Sequence, residues 1–478
     1  MQNRPCQIMN WSEDNLVRFT TADNEQAIDS KTNTLNTKRN LIQLCLLSAA
    51  LLQAAISGAQ PVTKIAAGGD HSLFLKGGGS LWVMGDNGYG QLGDGTINQT
   101  NRPEKIVVTN VTAIAGGYYH SLFLKSDGSL WAMGYNNSGQ LGDGTITDAH
   151  LPKKIVATNV TAIAGGYYHN LFLKSDGSLW GMGNNYEGEL GDGTYTDAHA
   201  PERIVTTNVT AVAAGYYHSL FLKSDGSLWA MGWNEYGQLG NSTFSDTNQP
   251  VKIVATNVTA IAAGHYHSLF LKSDGSLWAM GGNGSGQLGD GTFNQNGINT
   301  PEKIVATNVM TIAAGGNHSL FLKSDGSLWA MGENADGQLG DGTPDSQNYP
   351  KKIVATNVVA IAGGDFHSLF LKSDGSLWAM GNDQYGQLGD GTLNDTNRTE
   401  QILGPYNRIF PQLLSGSKMR LSFVGIDRTS YVLERSFKLS PAAWVPQATN
   451  PADSVGVLVL TNTPNSATNN FWRIHSVP

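Results

Sequence analysis

The chain has 478 residues, 58 of them glycine, with 14% charged residues and a formal net charge of -8 at pH 7. It is long and turn-rich enough to bury a large core, so composition places it among globular proteins and not among fibrous or disordered ones. Its acidic balance leaves no electrostatic footprint for nucleic acid.

Residues 1 to 37 are polar and aperiodic, after which Lys38 and Arg39 precede an apolar run from Leu41 to Ile56 and then Ser57-Gly58-Ala59-Gln60. A basic stretch, an apolar stretch and small residues are the parts of a secretory signal peptide, so residues 1–59 read as a leader with cleavage after Ala59 and the protein as exported, whether periplasmic, cell-surface or extracellular. The apolar run of about 16 residues, broken by two glutamines, is short of the ~20 that cross a bilayer, so the mature chain is expected to carry no membrane span. Cys6 and Cys45 both precede the cleavage point, which leaves no disulfide in the mature protein. No small residues precede Cys45, which argues against a lipid anchor. The polar stretch ahead of Lys38 fits an extended leader or a start codon assigned too early.

From residue 61 to 403 one unit of about 49 residues recurs seven times. Its histidines fall at His71, His120, His169, His218, His267, His318 and His367, and its tryptophans at Trp82, Trp131, Trp180, Trp229, Trp278, Trp329 and Trp378. Within each unit, short runs rich in branched and aromatic residues are separated by glycine-rich stretches, and an Asp-Gly turn such as Ser126-Asp127-Gly128-Ser129 joins two apolar runs. This Asp-Gly is read as supplying the positive φ angles of a tight hairpin. Four short strands per unit and no helical period make each unit a blade, and the seven of them a closed β-propeller. The repeated tryptophans are expected to anchor the blades by burying large aromatic area. The longer spacing between His267 and His318 is assigned to a surface loop at Phe293–Thr300.

Residues 404–410 read as a linker. From Pro411 to Pro478 the period is lost, and Met419–Val424, Ser430–Glu434, Val457–Leu460 and Asn470–Ile474 read as strands of a small antiparallel β-module. The fold class is therefore all-β, a seven-bladed propeller followed by this module.

The motifs Gly-x-x-His-Ser-Leu-x-Leu, Asp-Gly-x-Leu-Trp and Asn-x-x-Gly-Gln-Leu-Gly, recurring in order across residues 61–403, resemble the regulator of chromosome condensation repeat family. Here Ala-Met separates the tryptophan from the glycine that follows it directly in many relatives. Unit four carries Asn241-Ser242-Thr243 in place of Asp-Gly-Thr, and unit seven has Thr399 where the others have proline. The resemblance implies a seven-bladed propeller. It also implies two different activities: protein capture, as in secreted members, or guanine-nucleotide exchange on a small GTPase, as in the founding nuclear member.

The seven histidines stand in seven separate blades, too far apart to converge on a metal, so they are read as structural residues that tie neighbouring loops together. The Gly-Gln-Leu-Gly-Asp-Gly-Thr loops lack the Gly-Lys-Ser/Thr of a phosphate cradle. Asp94, Asp143 and Asp390 read as turn-stabilising residues rather than calcium ligands. The Asn-Val-Thr sequences at Asn110, Asn159, Asn208 and Asn257 match a glycosylation acceptor but occupy one repeated position. No cofactor, no metal site and no catalytic set is expected.

Function is sought where the units differ. The two residues before each histidine are Gly69-Asp70, Tyr118-Tyr119, Tyr167-Tyr168, Tyr216-Tyr217, His265-Tyr266, Gly316-Asn317 and Asp365-Phe366. Tyr118, Tyr119, Tyr167, Tyr168, Tyr216, Tyr217 and Tyr266 therefore share one arc of one face, and Trp233 stands out in the second variable set. Rigid amphipathic aromatics give large contact area at low entropy cost, so these eight residues form the candidate binding surface. The expected function is that of a monomeric, exported, non-enzymatic scaffold for a protein or a glycan. Nucleotide exchange is the second reading, weakened by the export signal, the acidic charge and the lack of a wedge inserted between blades. A lyase or glycosidase is the third, weakened by the absence of a carboxylate pair that stands apart from the repeat.

Overall fold

The computed structural model describes residues 61–404 in full, and the backbone of residues 17–19, 410–413, 419–424, 430–436, 445–451, 457–462 and 470–476. The signal-peptide segment 38–59, its cleavage point and most of the linker lie outside the described residues. The chain divides into two compact units, Val62–Ile402 and the two flanking segments together.

Val62–Ile402 is built from seven four-stranded sheets, each a meander of consecutive strands. In blade two these are Val111–Gly116, His120–Lys125, Leu130–Gly134 and Ala149–Val156, from the channel outward. The first strand lies innermost, because an added Cβ at Gly116 would meet the backbone of Ala67 and Gly68 in the preceding blade. Blades one and seven are each complete in themselves: Val62–Ala67 starts one and Thr396–Leu403 ends the other. The ring therefore closes face to face, with no strand exchanged between its first and last blades.

The core lies between blades. Leu73, Leu81, Val83 and Leu92 of blade one enclose Phe123 and Met133 of blade two, and the same cluster recurs around the ring. The repeated phenylalanines, Phe74 to Phe370, are the largest fully buried side chains. The tryptophans are only half-buried, which corrects their expected role as buried anchors. Each stacks with the phenylalanine of the neighbouring strand, as Trp131 does with Phe123 at 6.0 Å, and a lysine ammonium lies over the indole, Lys125 Nζ being 4.2 Å from the ring centroid. The indole thus caps the core, and its Nε1 donates to the buried Ser129 Oγ at 2.9 Å.

In the Ser-Asp-Gly-Ser turn only the glycine is left-handed: Gly128 has φ 74°, and Asp127 does not take a positive φ. Gly128 N donates to Lys125 O and Lys125 N to Ser129 O, so the hairpin is a turn closed by a glycine bulge rather than a pair of positive-φ residues. The insertion in blade five is not a loop either. It extends the outer strand to Asn294–Val305, with Asn294 opposite Asn283, because Gly297 at φ 71° lets the backbone pass close to the Tyr236 carbonyl.

In the second unit the strands Val17–Phe19, Asn470–Ser476, Ser430–Ser436 and Val445–Pro451 form one antiparallel sheet in that order, and Phe410–Leu413, Met419–Val424 and Val457–Asn462 form another. Val17–Phe19 adds a strand in a segment that the sequence marks as aperiodic.

Candidate functional site

Each histidine is fully buried at the start of its blade's second strand, and its Nε2 reaches the next blade. His71 Nε2 lies 2.8 Å from Ser121 Oγ, and that hydroxyl donates to Gln91 O at 2.8 Å. Because the serine proton is committed to the carbonyl, Nε2 must carry the ring proton and donate it. The pattern runs through His120 and Asn170, then His169, His218, His267 and His318, and it closes at His367 with Ser72 of blade one, 2.8 Å. Burial holds these rings well below the usual histidine range, at about 3 for His71 and about 4 for His367, so they are neutral connectors. Among the described residues no group of three or more His, Cys, Asp or Glu is placed to hold a metal ion. Asp94 Oδ1 accepts from Thr96 N at 2.8 Å and from Asn87 Nδ2 at 3.1 Å, which knits its own loop.

The loops just before the histidines surround the mouth of the central channel, a depression of about 120 Å³. There the variable pairs separate into two layers. The first members fill the channel: Tyr118 and Tyr167 rings lie 4.3 Å apart, Tyr167 and Tyr216 3.8 Å, and Tyr216 and His265 4.7 Å. His265 Nε2 in turn lies 3.0 Å from Asp365 Oδ1. Gly69 and Gly316 hold the corresponding positions in blades one and six. Side chains there would meet the Tyr118 carbonyl and the Asp365 carboxyl, so these glycines let groups from alternate blades converge.

The second members form a wider rim. Tyr119 lies 5.0 Å from Tyr89 of blade one and 6.5 Å from Tyr168, and Tyr217 meets Trp233 at 6.1 Å. Trp233 also meets Tyr236 and Tyr266 edge-on, at 5.6 Å each. Tyr135 sits between Tyr89 and Tyr168 at 4.7 and 5.4 Å. All eight sequence candidates therefore join one half-buried aromatic cluster, of which Tyr118, Tyr167 and Tyr216 are the plug and the others the rim. Burial raises the phenols of Tyr118, Tyr119, Tyr167, Tyr168, Tyr217 and Tyr266, Tyr119 to about 12, so these hydroxyls keep their protons at neutral pH.

The opposite half of the mouth is acidic, and sequence reasoning passed over it. Asp70, Asp86, Glu333, Asp336 and Asp365 come from blades one, six and seven. Asp336 accepts from Asn382 Nδ2 at 3.2 Å, and Gln387 Nε2 donates to Asp70 at 3.4 Å, bonds that cross between neighbouring blades. Burial and then the neighbouring carboxylates raise Asp70 to about 6 and Asp365 to about 8, while burial lowers His265 to about 4. His265 and Asp365 are therefore close without forming a charged pair at neutral pH. The signal was present in the same columns that carried the tyrosines. Asp70, His265 and Asp365 went unselected because each departs from the repeat only once.

The profile described as the RCC1-like domain matches residues 152–423, more than half of the chain. The chain belongs to the RCC1-like domain family. The regulator of chromosome condensation (RCC1) repeat is matched as well, at residues 62–91 and 111–140 by one form and 78–124 and 127–173 by another. Human WBSCR16 shares the fold at TM-score 0.62 and 24% identity, over 68% of this chain and 94% of that one. Prp20p from Saccharomyces cerevisiae, whose crystal structure is described with its binding properties to Gsp1p and histones, gives 0.58 and 26%, over 64% and 80%. No curated protein matches the chain in sequence.

Proposed function

We propose that this chain is an exported, non-enzymatic scaffold that captures a protein partner at the channel mouth of its propeller. The observation that carries this reading is the aromatic rim. Tyr119, Tyr168, Tyr217, Tyr266 and Trp233 form one connected half-buried surface that the repeat does not require, since blades six and seven carry Asn317 and Phe366 at the position of the tyrosines. Preformed aromatic surfaces of this kind supply binding hot spots at small entropic cost. The binding reported for Prp20p with Gsp1p and histones supports capture as a use of this fold. Export rests on the basic and apolar stretches at residues 38–59.

The decisive comparison is between the wild-type protein and the Tyr168→Ala, Tyr217→Ala, Trp233→Ala triple variant, each used to capture proteins from the secreted and envelope fractions of the source organism. A partner held by the wild type is expected to be lost by a variant whose melting temperature stays within roughly 4 °C, since the rim lies outside the interblade core. Retention of the partner, or unfolding of the variant, would sink the reading. Amino-terminal sequencing of the secreted protein should begin at Gln60. A full-length protein confined to the cytoplasm would restore nucleotide exchange as the better reading.

A further inference from the structure

The two halves of the mouth differ in chemistry and face one another. Blades two to five present π surfaces, and blades six, seven and one present carboxylates. The charges acting most strongly on Asp70 are Asp86 and Asp336, and those on Asp365 are Asp70, Glu333 and Asp336. No lysine or arginine is among them. The two lysine ion pairs among the described residues, Lys153–Asp143 and Lys351–Asp341, belong to the Gly-Asp-Gly-Thr loops instead.

Asp365 lines the depression and is 4% exposed, yet its Oδ1 is without a hydrogen bond, since the His265 ring 3.0 Å away is not aligned to donate. Interaction with the Tyr118 side chain favours the charged form of the Asp365 carboxyl, but burial and the Asp70 carboxylate outweigh it. The Asp365 carboxyl, buried and with one oxygen that no donor occupies, lines the same depression as Tyr118, Tyr167 and Tyr216, so a carboxyl and three phenol rings converge on one opening.

We propose that the channel mouth binds an organic cation, the guanidinium or ammonium head of an arginine or lysine side chain on the partner, stacked against the Tyr118–Tyr167–Tyr216 plug and hydrogen-bonded to Asp365 and Asp70. This rests on the protein-capture reading above and names the group captured. A planar or compact cation satisfies both halves together, gaining π contact from one side and charge-assisted hydrogen bonds from the other. The rim beyond it is wider than a single cationic head and offers Tyr119, Tyr168, Tyr217 and Trp233 to the residues flanking that side chain, which favours a partner-borne cation over a free one. Entry of the cation converts the Asp365 carboxylic acid to its carboxylate, and the proton passes to solvent.

The test is calorimetric titration of the full chain at pH 7 with a blocked Gly-Arg-Gly peptide, its neutral citrulline counterpart and spermidine, each in two buffers of different ionisation enthalpy. The arginine peptide is expected to bind roughly tenfold more tightly than the citrulline peptide. Its heat should differ between buffers in the sense of proton release, and Asp70→Asn should weaken it several-fold. Equal binding of the two peptides, or binding of neither, overturns the cation while leaving the aromatic rim to be judged by its own triple variant. Spermidine binding more tightly than the arginine peptide overturns the partner-borne source.

Discussion

The histidine ring makes this protein a collective sensor of acid through its own stability. Each ring is neutral and buried when folded, with its ionisation lowered to about 3 or 4 from the ordinary 6.5, so the unfolded chain binds more protons between those values. Stability is then fully present above pH 6.5 and lost as pH falls towards 4, at about 1.4 kcal/mol per pH unit for each histidine that charges only on unfolding. Potentiometric titration across acid denaturation should show net proton uptake, the seven repeat histidines and His265 each taking up a proton while Asp70, Asp365, Glu189 and Asp383 release theirs above about pH 5. Two other residues are local exceptions to the repeat. Glu189 replaces glutamine, and its Oε1 and the Asn184 Oδ1 are buried oxygens without partners, at positions where blade seven has a Gln387 Nε2 to Asn382 Oδ1 bond of 2.8 Å. Burial raises Glu189 to about 8 from 4.5, so the protonated acid can play the glutamine's part. That contribution is complete below pH 4.5 and is lost as pH rises towards 8. Glu189→Gln should therefore stabilise by about 1–3 kcal/mol at pH 8 and have little effect at pH 4.5, measured by denaturant titration. Asp383 likewise replaces asparagine, its Oδ2 has no partner, and burial raises it to about 7. Asp383→Asn should give a smaller gain of about 1 kcal/mol at pH 8.

The turns explain which repeated residues are fixed by backbone geometry. Asn110, Asn159, Asn208, Asn257, Asn308 and Asn357 all have φ between 61° and 69° ahead of an innermost strand. Asn308 and Asn357 keep the asparagine although Met310 and Val359 follow in place of threonine, so the position demands a left-handed residue and not a sugar acceptor. Asn257→Gly should be nearly neutral, while Asn257→Val should cost about 1–2 kcal/mol in denaturant titration; equal effects would mean that the side chain matters more than φ. The places of the strands and turns recurring in every unit were legible because each follows a local rule that seven copies repeat, whereas the geometry of the Asp127-Gly128 turn and the strand at Asn294–Val305 were not. The half-burial of the tryptophans was not legible either, because it depends on a phenylalanine and a lysine of the paired strand meeting the indole.

At the scale of the whole ring, closure uses the same device as every other blade boundary. Ser72 meets His367, Asp365 N donates to Gly69 O, and an added Cβ on Gly389 would strike Met84 Sδ as one on Gly93 would strike Met133 Sδ. With no shared strand, the position of the chain ends should matter little. A circular permutant of residues 62–403, joined through Ala-Thr-Asn as at residues 157–159 and opened between Ala255 and Thr256, should melt within roughly 4 °C of the unpermuted fragment. A much lower melting temperature would show that the native break is needed.

The sequence by itself determined seven blades, the four strands of each and the arc on which tyrosines gather, because hydrophobic period, glycine turns and a 49-residue step are all short-range properties. Tertiary structure alone decided what shares the channel. Asp365, His265 and Tyr118 stand in blades seven, five and two, and only the closed ring, with Gly69 and Gly316 leaving room between them, brings carboxyl, imidazole and phenol to one point. Such convergence has no sequence period, since it depends on the radius at which seven blades close.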